Sequence, residues 1–234
     1  MGFTKITALS FTDLFVQQIE NLILSGELSV GEQLPPAREL SVKMGVSRPV
    51  ISAGLVELEK LGFVEIIPRQ GVYVSDYRRK GTVETLVAIM RYNSGTMRKT
   101  EVKSLLEVRE QLEKLCAGLV IENASDEELG ALESILDEIK NASEPEIAAD
   151  AVFRFYHELA IMSGNVLLPL MYYSFRSPGI YLWTIYCKRN GVQAMYELKL
   201  GFYRALLNRD KEQAKETIHR IMQNALDNLS IYGA

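Results

Sequence analysis

Residues 34 to 74 constrain the fold of this 234-residue chain more than any other stretch; they read LPPARELSVKMGVSRPVISAGLVELEKLGFVEIIPRQGVYV. Leu34-Pro35-Pro36 breaks the chain, a short helix follows over 36–44, and Gly45 offers it a left-handed stop. Ser47 suits an N-cap and Pro49 suits the first turn of the next helix, where Ile51, Leu55 and Leu58 share one face. Gly62 ends that helix. Phe63 to Ile67 and Val72 to Ser75 then pattern as short strands around a turn at Pro68 to Gly71. Upstream, Phe15, Ile19, Leu22 and Ile23 recur at helical spacing between Ser10 and Ser25, with Gly26 as the stop. This order is the layout of a winged helix-turn-helix. A helix so placed fits the major groove of B-DNA, and a β-hairpin can reach the backbone or minor groove beside it.

The segment Asp76 to Thr82 is polar and basic and reads as a linker over 77–82. Beyond it every strong periodicity is helical. Helices are expected at 83–92, 100–122, 126–141, 146–163, 166–176, 180–188, 191–208 and 211–231. Ser125-x-x-Glu128 and Asp210-x-x-Gln213 have capping-box spacing, Pro145 and Pro169 suit first turns, and Pro178-Gly179 reads as a break. The expected fold is therefore mainly α. A winged helix-turn-helix DNA-binding domain over 1–76 precedes an all-helical antiparallel bundle over 83–234, to which the family resemblance given below assigns ligand binding and dimerisation.

Composition narrows the function classes. Hydrophobic residues make up 47% of the chain, enough for a sizeable core. No apolar stretch has the length of a membrane span and no N-terminal signal pattern appears, so a cytoplasmic protein without membrane contact is expected. Cys116 and Cys187 lie in apolar helical runs and read as buried free thiols. The net charge is -4, and residues 1–80 hold nine Lys/Arg against nine Asp/Glu. DNA binding must then rest on a few placed cations and not on bulk charge.

The N-terminal third resembles the GntR family of bacterial transcription regulators. The match lies in Leu34-Pro35, Arg38-Glu39-Leu40, Gly45-Val46-Ser47-Arg48, the helix through Leu55 and Leu61, Gly62-Phe63-Val64 and Gly71-Val72-Tyr73-Val74. The remainder looks like the effector domain of the FadR-type branch, through Glu107-Val108-Arg109, Leu112-Glu113, Ser163-Gly164-Asn165 and the helices around Asp210. Leu200-Gly201-Phe202-Tyr203 is similar to the fatty-acid-responsive members. The resemblance implies a homodimer on a palindromic double-stranded operator, modulated by a small acidic effector. A fatty acyl-CoA or fatty acid is the first expectation, and a small carboxylate such as a sugar acid or dicarboxylate the second. It also implies DNA contacts from Arg38, Ser47 and Arg48, with Arg69, Gln70 and Gly71 as the wing tip. Ser52 stands where many members carry arginine, and Pro36-Ala37 replaces a polar capping pair.

Many effector domains of this branch hold a divalent metal through one Asp and three His. A gapless count places those positions on Val152, Tyr156, Lys199 and Ile221, and the chain has two histidines in all. A metal-free pocket without a cofactor is expected, with a displaced site from Asp150, His157 and His219 as the alternative. Arg109 shares the apolar stripe of its helix with Leu105, Leu112 and Cys116. A guanidinium facing a core needs a partner, either a carboxylate such as Glu113 or Glu158, or an acidic effector. Nine aromatic residues crowd positions 172–203, which suits core packing or a cavity edged with hydroxyls. Asn165, Tyr172, Arg176, Tyr203 and Asn224 are the further candidates for polar contacts to the ligand. No phosphate-cradling glycine loop, zinc spacing or nucleophile with a recognisable base appears, so an enzyme fused to a winged helix is the weaker alternative.

Overall fold

The computed structural model describes residues 10–92 and 99–232. By its contacts the chain divides into two compact units, Met1–Tyr92 and Asn93–Ala234.

In the first unit, Ser10 and Asp13 form a reciprocal capping box that starts α1 (Phe11–Ser25), and Gly26 closes it at φ +86°. Its stripe of Phe15, Val16, Ile19, Ile23 and Leu24 is buried, while Leu22 packs at the margin. α2 (Ala37–Met44) stops at Gly45 in the left-handed region, and α3 (Arg48–Lys60) buries Ile51, Leu55 and Leu58. β1 (Val64–Ile67) and β2 (Gly71–Val74) pair antiparallel with Val64 opposite Val74 and Ile67 opposite Gly71. Phe63 and Val64 enter the same core as Phe15 and Leu58.

Two expectations change here. Residues 77–80 of the expected linker form one helical turn, α4 (Tyr77–Lys80), with Arg78, Arg79 and Lys80 exposed. Tyr77 packs on Phe63 at 5.7 Å between ring centroids, and Lys80 Nζ reaches Glu65 at 2.7 Å. The next helix, α5 (Val83–Tyr92), belongs by its contacts to this unit and not to the bundle. Ala88 and Ile89 join the winged-helix core, and Thr85 donates a 2.6 Å hydrogen bond to the Leu61 carbonyl.

The second unit is an all-helical bundle of α6 (Lys99–Asn123), α7 (Asp126–Asn141), α8 (Pro145–Met162), α9 (Leu168–Ser174), α10 (Arg176–Asn190), α11 (Val192–Leu207) and α12 (Lys211–Asp227). A 3-10 turn, Leu229–Ile231, follows where a continuous helix to 231 was expected. α8 is the centre and packs against α6, α7, α9 and α10. Ala148, Ala149, Ala151, Val152, Phe155, Tyr156 and Ala160 are all buried, as a helix enclosed by neighbours requires. Ser125 and Glu128 form the expected capping box, whereas only the Asp210 half forms at α12. Pro178-Gly179 does not break a helix. The interruption falls at Phe175, and Pro178 sits in the first turn of α10, where its missing N–H is tolerated. Gly179 has a packing reason, since a Cβ there would lie 3.1 Å from the Trp183 ring.

Candidate DNA interface and effector cavity

Arg38 lies in the first turn of α2, Arg48 is the first residue of α3, and Arg69 sits at the hairpin tip; all three are exposed. Four other cations of this unit are paired, Lys43 with Glu39, Lys60 with Glu57, Arg79 with Asp76 and Lys80 with Glu65, whereas the exposed Arg78 joins none of these pairs. Among the described residues Arg38, Arg48 and Arg69 take part in none of these ion pairs, so their guanidinium groups keep their donors for another partner. Ser47 is the N-cap residue of α3 by position, yet its hydroxyl bonds no backbone amide, contrary to the expected cap. Pro36 cannot cap α2 with a side chain either. No side-chain cap occupies the N-terminal amides of either helix, although the Glu39 and Leu40 amides of α2 already donate to the Pro36 carbonyl and Pro49 brings no N–H to α3. Ser52 is exposed one turn after Arg48 on α3.

The wing tip is held in place. Arg69 adopts φ +66°, rare for a residue with a Cβ, directly after Pro68, and the Gln70 amide donates to the Ile67 carbonyl at 3.0 Å. Gln33 donates a 2.8 Å hydrogen bond to the Gln70 carbonyl. A side chain at Gly71, at φ +133°, would strike Gln33, so glycine is needed for this close approach.

In the bundle, α6, α10, α11, α12 and Tyr232 enclose a cavity of about 170 Å³. Leu106, Leu182, Met195, Leu198, Ile221 and Met222 supply most of its wall. Arg109 and Lys199 line it as well and are almost completely buried, while Arg220 and Asn224 line its exposed side. Arg109 donates to Glu113 at 2.7 Å and lies 4.7 Å from the Trp183 ring centroid. Burial disfavours the Arg109 charge, but the adjacent Glu113 carboxylate restores it and holds the guanidinium above its usual range. Of the partners read from the sequence, the carboxylate is Glu113, and the same side chain also lines the cavity.

Lys199 donates to the Tyr156 hydroxyl at 2.9 Å, with its ammonium 4.7 Å from the same ring. Burial lowers the Lys199 pKa to about 8 and pushes the Tyr156 phenol well above 10. A void of about 10 Å³ on the other side of Trp183 is lined by Arg109 and Tyr172, whose hydroxyl is buried without a hydrogen-bond partner.

Comparison with known proteins settles the class. Residues 104–224 match the FCD domain family, and residues 13–74 match the family described as bacterial regulatory proteins, gntR family. The chain is a GntR-family transcription regulator with an FCD domain. It is 29% identical over 220 residues to the HTH-type transcriptional regulator LutR of Bacillus subtilis, covering 90% of this chain and 97% of that one. It is 28% identical over 177 residues to the HTH-type transcriptional regulator Mce2R of Mycobacterium tuberculosis, covering 76% and 73%. Among solved structures, Lar, which controls the agr system of Listeria monocytogenes, superposes with a TM-score of 0.65 at 16% identity over 97% of this chain and 99% of that one. That likeness establishes the fold. These relatives are regulators and not enzymes, and none of these names points to fatty acids.

Within this GntR-family regulator, three expected ligand contacts lie elsewhere. Asn165 spends its side-chain oxygen on the Leu167 and Leu168 amides at the start of α9. Arg176 reaches Asp150 at 2.6 Å and covers Phe153. Tyr203 donates to Glu133 at 3.3 Å, tying α11 to α7. Arg109 and Asn224 line the cavity, and Tyr172 lines the small void.

The displaced metal site does not assemble. Asp150 pairs with Arg154 and Arg176, His157 stacks on Phe153, and His219 lies 2.8 Å from Glu110. Among the described residues no three His, Cys, Asp or Glu side chains cluster as a ligand set. The counted family positions do not fit a metal either. Val152 and Ile221 carry no donor atom, and Tyr156 and Lys199 are bonded to each other. Lys199 and Trp183 line the cavity, where the sequence marked Lys199 only as a counted metal position and Trp183 only as one of the crowded aromatics. Lys199 lies four after Met195, three before Phe202 and seven before Leu206, the same apolar-stripe signal that exposed Arg109. Among the described residues no helix is long and apolar enough to cross a membrane.

Proposed function

We propose that this regulator binds a palindromic operator as a homodimer through Arg38, Ser47, Arg48, Ser52 and the wing tip Arg69-Gln70-Gly71. We further propose that a small carboxylate in the FCD cavity changes its operator affinity. One observation carries the effector reading: two cations, Arg109 and Lys199, are buried at a single cavity against one carboxylate, Glu113. Buried charge without full compensation is costly, and an anionic ligand would supply the balance. Size chooses among acids. An apolar cavity of about 150 Å³ holds benzene, while drug-sized ligands need roughly 300–1,000 Å³. The 170 Å³ here suits a short acid with an apolar body and favours it over an acyl-CoA.

Arg48→Ala is expected to weaken binding to the regulator's own promoter DNA by about 1–3 kcal/mol, read by fluorescence anisotropy. An unchanged affinity would remove Arg48 from the interface. In the same assay a panel of short carboxylates should shift operator affinity where long-chain acyl-CoA does not; the reverse pattern would restore the acyl-CoA reading. Native mass spectrometry reports the dimer directly.

A further inference from the structure

Lys199 is a charge without a counter-charge of its own. It is 1% exposed, and its hydrogen bond goes to a neutral phenol. The carboxylate whose field it feels, Glu113, is already engaged by Arg109 at 2.7 Å. With two cations and one anion, the interior carries one excess positive charge facing an apolar-walled cavity. The position is also one at which the family resemblance places a metal ligand, and the residues here do not fit a metal.

We propose that the Lys199 ammonium is the resident cation of this cavity in place of a metal ion, and that it seats the effector carboxylate together with Arg109. This rests on the acidic-effector reading above and adds two properties. Sensing is independent of divalent metal. It is also coupled to a proton, because the seating cation can lose its charge.

The surrounding groups leave Lys199 as the one that titrates. Arg109 and Glu113 face it from α6, Tyr156 from α8, Tyr186 and Cys187 from α10, Arg220 from α12, and Tyr232 from the C-terminal turn. The Arg109 guanidinium stays charged throughout. Burial pushes Cys187 to about 11 and Tyr232 to about 12, and raises Tyr156 and Tyr186 above their usual range. Between pH 7 and 10 these groups hold their protons. Lys199 titrates near 8 in the folded chain and at 10.5 when unfolded. Between those values the unfolded chain binds the extra proton, so stability rises with pH across the window, and the penalty is fully present below it. An anion beside the ammonium stabilises the protonated form, so anion affinity falls as pH climbs past about 8.

The test is thermal unfolding of the whole protein from pH 7 to 10 in the presence of EDTA, with butyrate or its neutral isostere butyramide as probe. The wild type should gain Tm as pH rises past 8, and Lys199→Met should start higher and lack that rise. Butyrate should raise the wild-type Tm at pH 7, with affinity dropping up to about tenfold per pH unit above 8. Butyramide should do nothing, and butyrate should lose its effect on Lys199→Met. Lys199→Arg, which keeps a charge it cannot shed, should bind butyrate without the alkaline fall. Equal butyrate stabilisation of wild type and Lys199→Met overturns the role of Lys199 while the acidic-effector reading survives. Butyrate binding that appears only when zinc or manganese is restored overturns the proposal in favour of a metal. No butyrate effect on either protein removes both readings together.

Discussion

Arg69 occupies a backbone conformation that costs stability. Its backbone occupies the left-handed region at φ +66°, at a site where glycine would be the relaxed choice. Holding a residue with a Cβ there costs about 1–2 kcal/mol. Arginine in such a place is explained by the guanidinium it projects from an exposed tip free of ion pairs. Arg69→Gly removes the strain but adds freedom to the unfolded chain worth roughly 0.5–1 kcal/mol. The variant should therefore keep its Tm or gain slightly, while operator affinity falls. A loss of Tm by calorimetry with unchanged anisotropy would make Arg69 a structural residue. Lys199 makes the complementary case inside the bundle, where a cation is held buried beside a cavity and the proposed anionic effector would offset its cost.

At the level of elements, α1 and α3 meet through Gly54. A Cβ built there would lie 2.2 Å from Cδ1 of Phe15, whose ring is itself 2% exposed and has no room to swing away. Gly54→Ala should destabilise the winged helix by about 1–3 kcal/mol, visible as a lowered unfolding midpoint. An unchanged midpoint would mean the two helices separate at little cost. Gly54 lies mid-helix, so its role was hidden in the sequence, where the glycines at 26, 45 and 62 announced themselves as stops. The same asymmetry runs through the chain. Helices, hairpin and wing were legible because local signals of spacing, proline and glycine decide them. The end of the winged-helix unit was not, because α5 is fixed by Ala88 and Ile89 meeting a core built from distant residues. Arg109 was legible from its stripe, and Lys199 carried the same stripe but was counted only as a failed metal position. Asn165, Arg176 and Tyr203 were misplaced for a further reason. Arg176 and Tyr203 are claimed by Asp150 and Glu133, 26 and 70 residues away, and no local pattern encodes such pairings.

For the whole molecule, an acidic protein has to bind a polyanion. With a net charge of -4 the chain as a whole repels DNA, and attraction must come from the few cations on the reading face. The three arginines at the helix starts and wing tip would make six in the proposed dimer. If all six neutralised phosphates, the slope of log K against log salt would be about -5 at roughly 0.9 counterions per contact. Any arginine that reads a guanine edge instead of a phosphate lowers that figure, so about -5 is a limit for these residues. Operator affinity measured between 50 and 200 mM salt should therefore fall with a slope no steeper than about -5. Arg38→Ala should flatten it by about 2 in the dimer if that residue holds phosphate. A steeper slope would show that further cations, Arg78 among them, join the interface. Effector binding enters the same linkage, since a carboxylate that lowers operator affinity must be bound less tightly in the operator complex by the same factor. Measuring butyrate affinity with and without saturating operator closes that cycle, and unequal factors would mean that the two sites are not at equilibrium with each other.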